Sequence, residues 1–204
     1  SSVGAFDSAV IDAIITFFMV LFGINFALFY RVLVGGWRDA LRSEELHWYL
    51  ALFAGSTLFV SLMILPQYGT FLNALRYGSF QVATIMSTTG YATADFNLWP
   101  QAVKALIVVL MFIGSCAGST AGGIKVVRVG ILCKLGCREV RRTFQPRKVQ
   151  VVRFEGKGVE ENRLTQVSAF FFVYVLLVLA GMFLVSLEGL YDLETNFTAV
   201  LTCI

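Results

Sequence analysis

Two short stretches of this chain combine residue types and spacing that suit a particular chemistry. The first reads Met86-Ser87-Thr88-Thr89-Gly90-Tyr91-Ala92-Thr93-Ala94-Asp95. Its apolar surroundings put it at membrane depth, where non-helical backbone is tolerated only if it is buried in protein or lines water. A loop of small and hydroxyl residues in that position has the makings of a pore. Main-chain carbonyls replace the water around a monovalent cation when they all turn inward, and glycine reaches the dihedral angles that this needs. Gly90 is that glycine, with Thr88, Thr89 and Tyr91 beside it. A short helix ending just before the loop would aim its partly negative C-terminal end at the ion. Asp95 reads either as added charge at the mouth or as a solvated loop carboxylate.

The second stretch is Gly114-Ser115-Cys116-Ala117-Gly118-Ser119-Thr120-Ala121-Gly122-Gly123, followed by Ile124-Lys125. So many glycines and serines forfeit helix propensity, and local unwinding of an apolar helix is expected. A glycine-rich break beside a pore loop is a gate or a close-packing hinge. The candidate gate residues are Gly114, Gly118, Gly122, Gly123 and Lys125. An ammonium at Lys125 opposes cation entry unless it is paired or moved aside; the other reading is a side chain snorkelling to the inner interface.

Other chemistries find little support. The only histidine, His47, adjoins Trp48 at a membrane edge, and no activated serine, deep carboxylate pair or nucleotide-binding glycine pattern is present, so no catalytic residue is assigned. The second stretch lacks the Gly-Lys-Ser/Thr ending of a phosphate loop. Cysteines 116, 133, 137 and 203 form no disulfide framework, and Cys133 with Cys137 lacks a third ligand for a structural metal.

The elements that must hold these stretches are apolar. Hydrophobic residues make up 57% of the 204 positions and charged residues 14%, against about 25% charged in an ordinary soluble domain. Four stretches approach the roughly 20 residues that cross a bilayer: Ser8 to Val34, Trp48 to Leu65 closed by Pro66, Gln101 onward through the glycine-rich break, and Leu164 to Leu187. Phe71 to Ser87 is shorter and interrupted by polar residues, which suits a re-entrant segment, and Asn196 to Ile204 begins another. The charged stretch Trp37 to His47 reads as an interfacial loop, and Trp37, Trp48 and Trp99 as an aromatic belt.

The net charge of +3 is concentrated between spans. Arg128, Lys134, Arg138, Arg141, Arg142, Arg147, Lys148, Arg153, Lys157 and Arg163 fall between the third and fourth spans, and Arg31, Arg38 and Arg42 at or after the end of the first. The positive-inside rule makes these loops cytoplasmic and the re-entrant segments external. That explains most of the basic loop without binding of nucleic acid or anionic lipid, and membrane lipid is the partner expected of the spans themselves. The chain begins without Met or a basic leader and stops within an apolar run, so it reads as a portion of a longer protein.

Thr88-Thr89-Gly90-Tyr91-Ala92-Thr93 after a short helix, with the break Gly114 to Gly123 leading to Ile124-Lys125, resembles the Trk/Ktr/HKT cation transporters over nearly the whole chain. The resemblance implies an all-α membrane protein of membrane-pore-membrane repeats, each with a re-entrant pore helix and a filter loop. It divides the chain into 1–46, the closing helix of one repeat with a cytoplasmic linker; 47–163, a complete repeat whose second helix is broken by the glycine-rich loop; and 164–204, the start of the next, cut off in its pore helix. It further implies potassium uptake across a bacterial inner membrane, with K⁺ as the transported ion and no organic cofactor. Thr88, Thr89, Gly90 and Tyr91 would form the filter, and the loop below it the gate. Ala92 stands where an ordinary potassium channel has its second filter glycine. The implied partners are a second copy of the chain in a homodimer and a cytosolic, nucleotide-binding regulatory subunit of the TrkA type. A reading from another class is an alternating-access transporter that binds a small solute at the broken helix. A scaffold subunit would leave the filter motif unexplained, and a voltage-gated channel lacks its arginine repeat.

Overall fold

The computed structural model describes residues 3–145 and 151–204, so Arg147 and Lys148 of the basic stretch lie outside the described residues. Ala9–Phe22 (α1) and Phe26–Leu33 (α2) were expected as one span, but they meet at 90°. The bend is supported because several main-chain groups freed around Gly23-Ile24-Asn25 find other partners. Tyr49 donates its hydroxyl to Val20 O at 3.0 Å, and the Asn25 side chain caps α2 by accepting from Ala27 N at 2.9 Å. Gly23 O accepts from Cys116 N at 3.1 Å, and Phe26 N donates to Gly118 O at 3.2 Å. Tertiary pairing therefore replaces the helical bonds that a straight helix would keep.

Trp37–Leu41 forms a short helix, α3, and Ser43 caps a 25-residue helix, Glu44–Tyr68 (α4). The interfacial loop expected from Trp37 to His47 is therefore largely helical. Pro66 does not close α4 but lies in its last turn, where only one helical hydrogen bond is forfeited, and Gly69 N still donates to Leu65 O at 3.0 Å. Phe71–Met86 (α5) follows, capped by the Thr70 hydroxyl, and packs closely along α4. Gly78 makes that approach possible: a Cβ there would lie 2.9 Å from Ser61 Oγ.

Gln101–Ile113 (α6) is only 13 residues long and stops at Gly114. After the loop the chain resumes as Val126–Phe144 (α7), which carries much of the expected basic loop as helix. A two-stranded hairpin, Arg153–Phe154 (β1) with Lys157–Gly158 (β2), pairs Phe154 with Lys157. Glu161–Ser186 (α8) and Leu193–Cys203 (α9) complete the chain.

Among the described residues, α4 and α8 alone are long and apolar enough as single helices to cross a bilayer, and the bent α1–α2 pair qualifies if counted as one span. The expected third span falls short because Gly114 ends α6 after 13 residues and α7 is studded with Arg and Lys. The main core joins α4, α5 and α6 through Val60, Ile64, Val82, Met86, Val103 and Leu110. Trp99 belongs to this core, 3% exposed, with its indole N–H donated to Tyr68 Oη at 3.2 Å. It is not an interfacial belt residue, whereas Trp37 and Trp48 are exposed.

Candidate functional site

The helix α5 ends at Met86, and Ser87 begins the irregular stretch with its hydroxyl donated back to Ala83 O at 2.7 Å. Thr88 N donates to Ile85 O at 3.1 Å and Thr89 N to Thr84 O at 3.0 Å, which ties the first turn of the loop to the helix end. Thr88 lies in the left-handed region at φ +54°, uncommon for a β-branched residue, and Gly90 at φ +80°. Thr88, Thr89, Gly90 and Tyr91 are all exposed. Among the described residues no donor reaches their main-chain oxygens. Asp95 caps the short turn Phe96–Leu98 by accepting from Asn97 N at 2.9 Å.

The glycine-rich segment folds into a closed loop whose two ends are laced together. Ile124 N donates to Phe112 O, Lys125 N to Ile113 O and Val126 N to Ser115 O, at 3.1, 3.0 and 3.0 Å. These bonds satisfy carbonyls at the end of α6 that the helix itself leaves open. Gly114 is required by this closure: at φ +68°, a Cβ there would lie 2.4 Å from Gly122 O. Gly123 packs on the carbonyls of Met111 and Phe112, and Gly118 on the Asn25 side chain. Inside the loop, Ser115 is fully buried and shares a hydrogen bond of 2.9 Å with Ser119, whose hydroxyl also reaches Cys116 O. Lys125, at φ +82°, turns its ammonium back onto Ala121 O.

The two stretches meet. Gly122 N donates to Thr88 Oγ1 at 3.1 Å. A cavity of about 500 Å³ is lined by Thr89, Tyr91 and Thr120 together with Phe18, Phe22 and Phe26. The candidate filter residues and the candidate gate residues therefore lie on two adjoining segments. Sequence reasoning missed Glu45 and Asn25, which hold the loop from the other flank. Ala117 N donates to Glu45 Oε1 at 2.6 Å, and Asn25 Nδ2 to Glu45 Oε2 at 3.4 Å. Glu45 is only 6% exposed. Buried carboxylates need such partners, but nothing in the spacing of Glu44-Glu45 tells which of the two turns inward.

Comparison with known proteins gives a consistent picture. The family model described as "TrkH: Cation transport protein" matches residues 71–204. The chain is 35% identical over 184 residues to the Trk system potassium uptake protein TrkH of Halomonas elongata, covering 87% of this chain and 37% of that protein. It is 32% identical over 209 residues to the protein of the same name from Salmonella typhimurium, covering 99% of this chain and 42% of that one. The crystal structure of the potassium transporter TrkH from Vibrio parahaemolyticus superimposes with a TM-score of 0.91 at 29% identity, over 98% of this chain and 44% of that one. The chain thus spans less than half the length of the relatives it matches.

Proposed function

Because the chain belongs to the TrkH family of cation transport proteins, we propose that it supplies one filter strand and a gate to a pathway for potassium uptake. Thr88 to Thr93 form the strand, with the carbonyls of Thr88, Thr89, Gly90 and Tyr91 facing the ion. The helix α5 is the re-entrant pore helix, its C-terminal end aimed at the ion path. The loop Gly114 to Gly123 obstructs the path below the filter and moves aside on opening, and Lys125 belongs to it. The observation that carries this reading is the hydrogen bond from Gly122 N to Thr88 Oγ1 at 3.1 Å, which sets the loop directly against the strand. The undonated oxygens of the strand support it, since carbonyls already paired within the protein are poor substitutes for ion hydration.

In this reading residues 47–163 are one complete membrane-pore-membrane repeat, 1–46 close the preceding repeat, and 164–204 open the next, with α9 as its pore helix. Further strands come from the rest of a longer protein, which sits in a bacterial inner membrane with the basic α7 and hairpin on the cytoplasmic side. A homodimer and a TrkA-like cytosolic regulatory subunit are the partners this reading expects.

The test uses the full-length protein in a host deficient in potassium uptake. Gly90→Ser weakens discrimination of potassium from sodium, and deletion within Gly114 to Gly123 raises flux. Unchanged selectivity in the first variant removes Gly90 from the filter, and unchanged flux in the second removes the loop from gating.

A further inference from the structure

Where the intramembrane loop meets the bend between α1 and α2, one buried carboxylate joins the main-chain bonds that hold it. Glu45 lies in the first turn of α4, 6% exposed, and its two oxygens are divided between the two broken elements. Oε1 accepts from Ala117 N of the loop at 2.6 Å, and Oε2 accepts from Asn25 Nδ2 at the bend between α1 and α2 at 3.4 Å. On either side of Ala117 the same two elements are joined main chain to main chain, Cys116 N to Gly23 O and Phe26 N to Gly118 O. Among the described residues, Glu45 is the only side-chain acceptor that reaches this joint from a third element, so α4 takes part in placing Cys116 to Gly118.

The same residue is gripped from outside. Glu45 N donates to Glu155 Oε1 at 3.1 Å, and the Ser43 hydroxyl donates to the same oxygen at 2.7 Å. Glu155 is the tip of the hairpin, at φ +54°, and its own N–H donates to Glu44 Oε2 at 3.0 Å. Lys134 of α7 completes the joint, with its ammonium on Glu44 and on Arg153 O. A carboxylate accepting at a helix N-terminus complements the open N–H groups there. The hairpin tip therefore caps α4 at the residue whose side chain anchors the loop.

We infer that Glu45 is a positioning residue that latches the intramembrane loop, and that the hairpin tip at Glu155 sets this latch by capping the same helix turn. The anchoring stands on the contacts themselves; its consequence for ion flux rests on the gate assignment proposed above. Movement of the hairpin on the exposed face would loosen Glu45 and, with it, Cys116 to Gly118. This gives the loop a control point remote from the filter.

Cys116 reports the latch without reference to transport, because it is fully buried and lies next to Ala117. The experiment measures the rate at which a methanethiosulfonate reagent modifies Cys116 in the full-length protein in liposomes, with other cysteines replaced, alongside potassium and sodium flux. Glu45→Ala raises the modification rate at least about tenfold, as expected for loss of a charge-assisted hydrogen bond. Glu45→Gln keeps an acceptor for Ala117 N and stays close to the parent, which separates a lost latch from a damaged fold. Glu155→Ala gives a smaller rise, and adding it to Glu45→Ala gives no more than Glu45→Ala alone. Unchanged modification in Glu45→Ala, or the same rise in Glu45→Gln, overturns the latch, and additive effects of the pair overturn the role of the hairpin. Raised modification with unchanged flux leaves the latch standing and overturns the gate assignment instead.

Discussion

Gly122 N and Thr88 Oγ1 are 3.1 Å apart, one from each of the two irregular segments of this chain. The contact joins the end of α5 to the break between α6 and α7 through a hydroxyl rather than a packed apolar surface. Such a bond is worth about 1 kcal/mol net; if the loop is the gate proposed above, that is small enough to break on opening and large enough to bias a closed state.

Thr88→Val tests that bias. The substitution keeps the β-branched shape and deletes the acceptor. We expect basal potassium flux to rise about fivefold, the factor corresponding to about 1 kcal/mol, with the potassium-to-sodium ratio unchanged. Flux of the full-length protein in liposomes measures both.

Gly114→Ala should open the loop for a steric reason. Its Cβ would meet Gly122 O at 2.4 Å, and φ is +68°. Strain of about 1–3 kcal/mol is expected from the dihedral alone. The variant should show a lowered melting temperature and raised flux together. Gly136 is the control, since a Cβ there meets nothing within 4 Å.

An ion pair joins α1 to α5 beside their apolar contact through Met19, Phe80 and Ala83. Arg76 Nε donates to Asp12 Oδ2 at 2.6 Å, and the Asp12 side chain is 4% exposed. Arg76→Met leaves that carboxylate buried and alone, at a cost of about 3 kcal/mol. Adding Asp12→Asn should recover part of the loss. Thermal unfolding in detergent reads both variants.

Gly78→Val probes the packing of α5 on α4. The added Cβ would lie 2.9 Å from Ser61 Oγ and 3.3 Å from Val60 Cγ1. Overpacking of this kind costs about 1–3 kcal/mol. If α5 is the pore helix proposed above, its displacement would also degrade selectivity, so melting temperature and the potassium-to-sodium flux ratio should fall together.

The sequence exposed some of this organisation and concealed the rest, for physical reasons. Phe71–Met86 was legible as a short apolar run between polar flanks, and the break after Ile113 because Gly114, Gly118, Gly122 and Gly123 crowd into one stretch, whereas the single breakers Pro66 and Gly78 are absorbed within helices. The 90° bend at Gly23-Ile24-Asn25 was not. One glycine and one asparagine in an apolar run are compatible with a straight helix, and the bend comes from pairing with Cys116 and Gly118, more than 90 residues away in sequence. The hairpin was hidden because Glu155-Gly156 is a weak turn signal beside Asn-Gly or Asp-Gly, although both residues adopt positive φ, +54° and +71°. Trp99 was misjudged because a tryptophan beside Pro100 looks interfacial, while its N–H finds Tyr68 inside the core. Glu45 escaped notice because a carboxylate pair in a charged stretch carries no mark of which member turns inward; only the fold of Ala117 against it decides that.

The most direct measurement is the position of bound cations in crystals of the full-length protein grown with rubidium in place of potassium. A filter built from this strand places anomalous scattering peaks against the main-chain oxygens of Thr88, Thr89, Gly90 and Tyr91. Rubidium bound elsewhere in the pathway, with none at those oxygens, would contradict it.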